Sequence, residues 1–174
     1  ACAQTLSSTH QFEVCLALRN SHRVDLNQRL GSIVEVGELS ANTSWEKALQ
    51  NCDCVIHTAG RAHVMKEQTT SPLEEYRRIN VEGTLNLARQ AIKAGVRRLI
   101  FISTIKVHGE THPLDQPFGV EDHLNPKDPY SQSKYEAEKG LRQLAKESTL
   151  EVVIIRPPLI YGPGVKGNFK TMLA

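Results

Sequence analysis

The chain has 174 residues, 40% of them hydrophobic and 23% charged, which is ordinary for a globular domain and enough to bury one substantial core. Its formal net charge is only +2, and no basic cluster is interleaved with aromatics, so a nucleic-acid surface is not indicated and a small-molecule partner is expected. The longest aliphatic runs, such as 152–155 and 99–102, are far short of a membrane span, and residues 1–10 have no basic start followed by an apolar stretch; the expectation is a cytoplasmic protein without membrane association.

The four cysteines, Cys2, Cys15, Cys52 and Cys54, form no Cys-x-x-Cys pair. Cys15 and Cys54 fall in predicted strands and are expected to pack as small buried hydrophobes. The seven histidines are scattered without a ligand spacing, so no metal site is expected.

Residues 1–10 are polar and carry no structural signal. The run 12–18 reads as a strand ending at Arg19 and Asn20, and 32–36 as a second, followed by Gly37, Glu38 and Leu39. Thr43 or Ser44 can cap a short helix through Trp45, Ala48 and Leu49, which leads to a third strand over 54–58 ending at Ala59 and Gly60. Ser71, Pro72 and Glu74 supply a cap, a first-turn proline and the acid of a capping box. Apolar or small residues at 73, 76, 84, 87 and 91 then continue a helix over 71–94 until Gly95 stops it. The apolar run 99–103 is too short for a helix and reads as a parallel strand buried on both faces, with Ser103 and Thr104 at its carboxyl end.

A loop over 107–127, rich in Pro, Gly, His and Asp, is long for a compact domain unless it covers a site. Asp128 is a good N-cap and Pro129 suits the first helical position, so a helix over 129–147 follows, burying Ala137, Leu141, Leu144 and Ala145. A fifth strand over 152–156 is closed by Pro157 and Pro158. Strand and helix alternate, which predicts a parallel α/β sheet with ligands beyond the carboxyl ends of its strands. Arg19, Glu38, the stretch 57–60, Thr104 and Arg156 all fall at such ends, although each alone also reads as a loop residue without a task.

Tyr130 and Lys134 stand one helical turn apart, so a phenol and an ammonium share a face. Free tyrosine titrates near ~10, and acid/base work near neutrality asks for roughly 3 units less, about 4 kcal/mol of differential stabilisation. A neighbouring cation favours the phenolate, and the Thr104 hydroxyl could bond the substrate oxygen that exchanges its proton with Tyr130. On its own the Tyr-x-x-x-Lys spacing also fits a solvated surface pair.

Five stretches, in order, resemble the extended short-chain dehydrogenase/reductase family, and particularly its nucleotide-sugar epimerase branch. They are Val55-Ile-His-Thr-Ala-Gly60, Asn80-Val-Glu-Gly-Thr84, Phe101-Ile-Ser-Thr-Ile-Lys-Val-His-Gly109, Pro129-Tyr-Ser-Gln-Ser-Lys134 and Arg156-Pro-Pro-Leu-Ile-Tyr-Gly-Pro163. The resemblance covers roughly residues 12–174. It implies a Rossmann-like doubly wound parallel sheet binding NAD, with NADP not excluded. It implies Tyr130 as the acid/base, Lys134 holding the nicotinamide ribose and lowering the phenol, Thr104 as hydroxyl partner and Asn80 as organiser of the active centre. Arg19, Glu38, Leu39, His57, Thr58, Ala59, Gly60 and Ser103 would lie along the cofactor; Thr104, Lys106 and Asn168 would meet a UDP-sugar. Dimerisation through the helices over 71–94 and 129–147 is implied as well.

Two departures qualify this picture. The family opens with a strand and a Gly-rich turn whose N–H groups hold the pyrophosphate, and residues 1–20 contain none. That strand would lie between those at 12–18 and 54–58, so the resemblance implies a sheet lacking its middle and a chain cut at both ends. Residues 1–160 would be a truncated dinucleotide-binding domain and 161–174 the start of a substrate-binding region, with negligible NAD affinity and no activity in the chain alone. Arg19 and Asn20 also stand where an acidic residue would bond the ribose 2′-hydroxyl, which leaves NAD against NADP open.

The implied function of the parent protein is UDP-sugar 4-epimerisation of the UDP-glucose 4-epimerase kind, with a UDP-sugar 4-ketoreductase of polysaccharide synthesis as alternative. Ile105 and Lys106 stand where a 4,6-dehydratase carries its acid and base, which argues against dehydration. A non-catalytic dinucleotide-binding or interaction domain is the rival from a different class, and the retained tyrosine and lysine speak for the enzyme.

Overall fold

In the computed structural model, residues 2–20, 31–62, 70–110, 117–120 and 122–160 are described. The elements in chain order are α1 (Cys2–Ser8), β1 (Cys15–Leu18), β2 (Ser32–Glu35), β3 (Cys54–His57), α2 (Pro72–Tyr76), a π-helical stretch (Arg77–Gly83), α3 (Thr84–Lys93), β4 (Arg98–Ile102), a 3₁₀ turn (Ile105–His108), α4 (Pro129–Lys146) and β5 (Glu151–Ile155). All five predicted strands are present within a residue or three of their expected ends, and every pairing is parallel. Residues 161–174, with Asn168 and the end of the resembling stretch 156–163, lie outside the described residues.

The strands form two sheets, β1–β2 and β3–β4–β5, and β1 is not hydrogen-bonded to β3. The break falls where the resemblance leaves room for one more strand. On one face of the larger sheet Leu99 and Phe101, both fully buried, pack against Leu87, Ala88 and Ala91 of α3 and Ala137 and Leu141 of α4. Burying each such large side chain contributes about 1.5–3 kcal/mol. The two helices approach closely, since a Cβ on Gly140 would come within 2.6 Å of Leu85 Cδ2.

Among the described residues, nothing buries the opposite face fully. Ile56, Val153 and Ile155 are 37%, 40% and 44% exposed, and Ile100 and Ile102 beside them are only half-buried. The expectation that 99–103 is buried on both faces therefore fails on one of them. For the same reason Cys54, on the Ile56 face, is exposed rather than buried, and Cys15 points away from the inward Leu16 and Leu18 of β1.

Three local expectations are also corrected. Residues 46–51 make a single turn, with Leu49 N–H donating to Trp45 O at 3.0 Å, and the chain then leaves through Asn51 in the left-handed region, so no capped helix forms there. Ser71 precedes α2 without a side-chain capping bond, and Pro72 starts the helix instead. Residues 2–8, read as featureless, form the helix α1, none of whose residues is buried. Gly95, at φ +76°, stops α3 as expected.

Candidate active site

The amino end of α4 is fixed by a reciprocal cap. Asp128 Oδ1 accepts from Ser131 N–H at 2.9 Å, and Ser131 Oγ accepts from Asp128 N–H at 3.2 Å. Burial alone would raise the Asp128 carboxyl, but the Ser131 N–H and the Lys106 ammonium at 3.3 Å hold it below its usual range. Lys106, given a substrate role by the resemblance, is engaged by Asp128 and by Glu110 at 3.7 Å.

This cap sets where Tyr130 and Lys134 begin. Tyr130 is half-buried with its ring edge-on to Tyr76, centroids 6.1 Å apart. Burial, then the Asp128 charge and Tyr76, all push its phenol above the ordinary value, so it rests protonated; the lowering expected from Lys134 is not seen, because the Lys134 ammonium lies over the Phe101 ring. Lys134 is buried, with Nζ 4.0 Å from the centroid of the Phe101 ring. Burial lowers its ammonium to about 8, with Glu138 pulling the other way.

Asn80 joins this helix turn to the end of β3. It sits in the π-helical stretch, where the widened turn aims an amide inward. Its Oδ1 accepts from Arg61 N–H at 2.7 Å, and its Nδ2 donates to Arg61 O at 3.0 Å and to Ser133 Oγ at 2.9 Å. Ser133 Oγ in turn donates to Tyr130 O at 2.7 Å. Gly60 lies against the same amide, and a Cβ there would stand 3.0 Å from Asn80 Oδ1. Thr58, Ala59 and Gly60 are exposed at the carboxyl end of β3.

Thr104 follows β4 in extended conformation, buried, and its hydroxyl accepts from Lys106 N–H at 3.3 Å. Asn80, Gly60, Thr104, Tyr130 and Lys134 thus gather at the carboxyl ends of β3 and β4 and the start of α4. His57 turns away from that opening. It is 4% exposed, stacked on Phe101 and bonded to Thr84 Oγ1 at 2.9 Å, and burial with the Lys134 charge lowers it to about 3. Ser103 is likewise buried, donating from Oγ to Glu138 Oε1 at 2.5 Å. Arg19 and Glu38 form an ion pair across the carboxyl ends of the separate β1–β2 sheet, and Leu39 packs against Gly83.

A sequence profile described as the NAD dependent epimerase/dehydratase family matches residues 1–174. The chain belongs to that family.

Among the relatives of this epimerase/dehydratase-family chain, UDP-glucose 4-epimerase of Vibrio cholerae is 49% identical over 156 residues, covering 90% of this chain and 48% of that protein. N-acetyl-alpha-D-glucosaminyl-diphospho-ditrans,octacis-undecaprenol 4-epimerase of Escherichia coli O157:H7 is 30% identical over 176 residues, covering 95% of this chain and 49% of that protein. Among solved structures, MoeE5 in complex with UDP-glucose and NAD superposes with a TM-score of 0.76 at 26% identity, over 95% of this chain and 52% of that one. UDP-glucose 4-epimerase from Brucella ovis in complex with NAD gives 0.71 at 26% identity, over 88% and 46%. The chain spans about half the length of the curated relatives it matches. Its fold is the Rossmann-like α/β fold of these NAD-bound neighbours.

The epimerase-family site also has members that spacing did not reveal. Arg156 grips Glu138 with Nη2 at 2.6 Å and Nε at 3.1 Å, and its Nη1 meets His108 Nε2 at 3.1 Å. The sequence signal was there in part, since Glu138 follows Lys134 by the same four residues that separate Lys134 from Tyr130. Tyr76 and Arg61, whose guanidinium lies 5.4 Å from the Tyr76 ring centroid, had no such signal.

Proposed function

We propose that this chain carries the acid/base half of a nucleotide-sugar 4-epimerase, with Tyr130 exchanging a proton with the sugar's 4-hydroxyl. The observation that carries the reading is the placement of a phenol and a buried ammonium on one turn of a capped helix, tied through Ser133 and Asn80 to the end of β3. Thr104, at the end of β4, is read as the hydroxyl that steadies the same substrate oxygen. Lys106 and Asn168 are read as further contacts to a UDP-sugar.

The described residues fit NAD at its nicotinamide end. Gly60 brings bare backbone up against the Asn80 amide, where a side chain would crowd it, and the Lys134 ammonium rests on the face of the Phe101 ring. Glu38 and Leu39, with Arg19, would flank the adenosine end, the last two positions being held by the Arg19–Glu38 pair and the Leu39–Gly83 contact. NAD, when bound, supplies hydride acceptance and return. His57 and Ser103 would act from behind this surface, as their side chains face the core.

Ile105 and Lys106 leave no acid and base beside Thr104 for eliminating water, which supports epimerisation over dehydration. By the resemblance we read the whole protein as a dimer through the helices over 71–94 and 129–147, and this chain alone as inactive.

Product analysis of the full-length protein tests the reading. With UDP-glucose and NAD, proton NMR should follow inversion at C4 without net consumption of the dinucleotide. Turnover only of a 4-keto sugar with stoichiometric oxidation of a reduced dinucleotide would replace epimerase by ketoreductase, and no chemistry at C4 would overturn both.

A further inference from the structure

Behind the lysine lies a buried ionic cluster that the proposed reaction does not use. Glu138 is 1% exposed and one helical turn beyond Lys134 on the inward face of α4. Its two oxygens accept from Ser103 Oγ at 2.5 Å and from Arg156 Nε and Nη2 at 3.1 and 2.6 Å. Arg156 closes β5, Ser103 precedes Thr104 at the end of β4, and Arg156 Nη1 reaches His108 Nε2 in the turn after Thr104. A guanidinium only donates, so His108 accepts through Nε2. One carboxylate therefore holds two strand ends and the following turn against α4.

A buried ion pair gives no stability that well-packed apolar side chains would not match. Its position is the informative part, because removing one partner leaves an uncompensated charge next to Lys134. We propose that Glu138, held by Arg156 and Ser103, is a positioning residue of this site: it offsets the Lys134 ammonium and locks the strand end carrying Thr104 to the helix carrying Tyr130. The inference rests on the reading of Tyr130, Lys134 and Thr104 as the reacting group.

Among the described residues, the charged and titratable groups placed about Lys134 are Tyr130 and Glu138, one turn to either side on α4, and His57 on β3, with Arg156 and His108 behind Glu138. Of these, Glu138 is the group that acts to keep the ammonium protonated. Without it, the Arg156 guanidinium loses the carboxylate it pairs with, and Lys134 loses an anion that favours its charged form.

The test titrates the ammonium itself, by NMR of the full-length protein with isotope-labelled lysine, the Lys134 signal being assigned by its loss in Lys134→Met. The wild-type midpoint is expected at about 8. Glu138→Gln should lower it by about one unit or more. Loosening of the fold moves the midpoint the other way, toward the ordinary ~10.4 of a solvated lysine, so a fall is not a symptom of damage. Should Glu138→Gln not fold, the double variant Glu138→Gln with Arg156→Met removes both charges, and there too the midpoint should drop below the wild-type value, by less. A midpoint unchanged or raised in a variant that keeps the wild-type near-UV dichroism overturns the proposal. Because turnover is not read, that failure leaves the role of Tyr130 standing, and an active Tyr130→Phe enzyme would fail the reaction without touching the titration.

Discussion

His57 shows most plainly how a single residue's surroundings set its chemistry. Read from sequence as part of a cofactor-lining stretch, it is instead enclosed by Phe101, Thr84 and Lys134, and burial followed by the lysine's charge brings it to about 3. In the unfolded chain it titrates near ~6.5. As pH falls through that window the unfolded state takes up a proton that the folded state refuses, so stability declines with acid, by roughly 3 kcal/mol at pH 4. Thermal or urea melts between pH 7 and 4 should show this loss, and His57→Gln should flatten it. Equal acid slopes in the two proteins would mean that the ring is not confined as described.

At the scale of elements, the long helix preceding β4 is three pieces, and its π-helical middle decides what reaches the site. Asn80 is aimed at Arg61 and Ser133 from there, and Gly83 closes the stretch against Leu39. A Cβ on Gly83 would stand 2.7 Å from Leu39 Cγ and 3.1 Å from Ser40 N. Alanine gains about 1 kcal/mol over glycine in helix propensity, while overpacking of this kind costs about 1–3 kcal/mol. Since backbone as well as side chain must give way, the clash should win: Gly83→Ala lowers the melting temperature, as differential scanning calorimetry can measure, whereas an equal or higher value would contradict the tight approach of this loop. Asn86 and Gln90 reinforce that approach, both donating to Thr43 O at 2.8 Å.

The whole molecule explains which parts were legible in advance. The strands were readable because each is a short apolar run bounded by turns, and α4 because Asp128 and Pro129 announce its start. Tyr130 and Lys134 could be paired on spacing alone. The π-helical stretch was not readable, because its register answers to the Asn80 amide and the Arg61 backbone, distant in sequence. Nor was the Glu138–Arg156 pair, two charges 18 positions apart that look solvent-bound until β5 is laid beside α4. The exposure of Cys15 and Cys54 follows from strands that form two sheets, with one apolar face left exposed among the described residues, a property of the assembly rather than of either strand.

The central claim is that the Tyr130 hydroxyl moves the proton. Substituting Tyr130→Phe in the full-length protein removes one oxygen from a ring otherwise held by Tyr76, and pairing calorimetric NAD affinity with the rate of C4 inversion reads binding and proton transfer separately. The account predicts affinity within about twofold of wild type and turnover reduced by roughly a thousandfold or more. Inversion at a substantial fraction of the wild-type rate would contradict it.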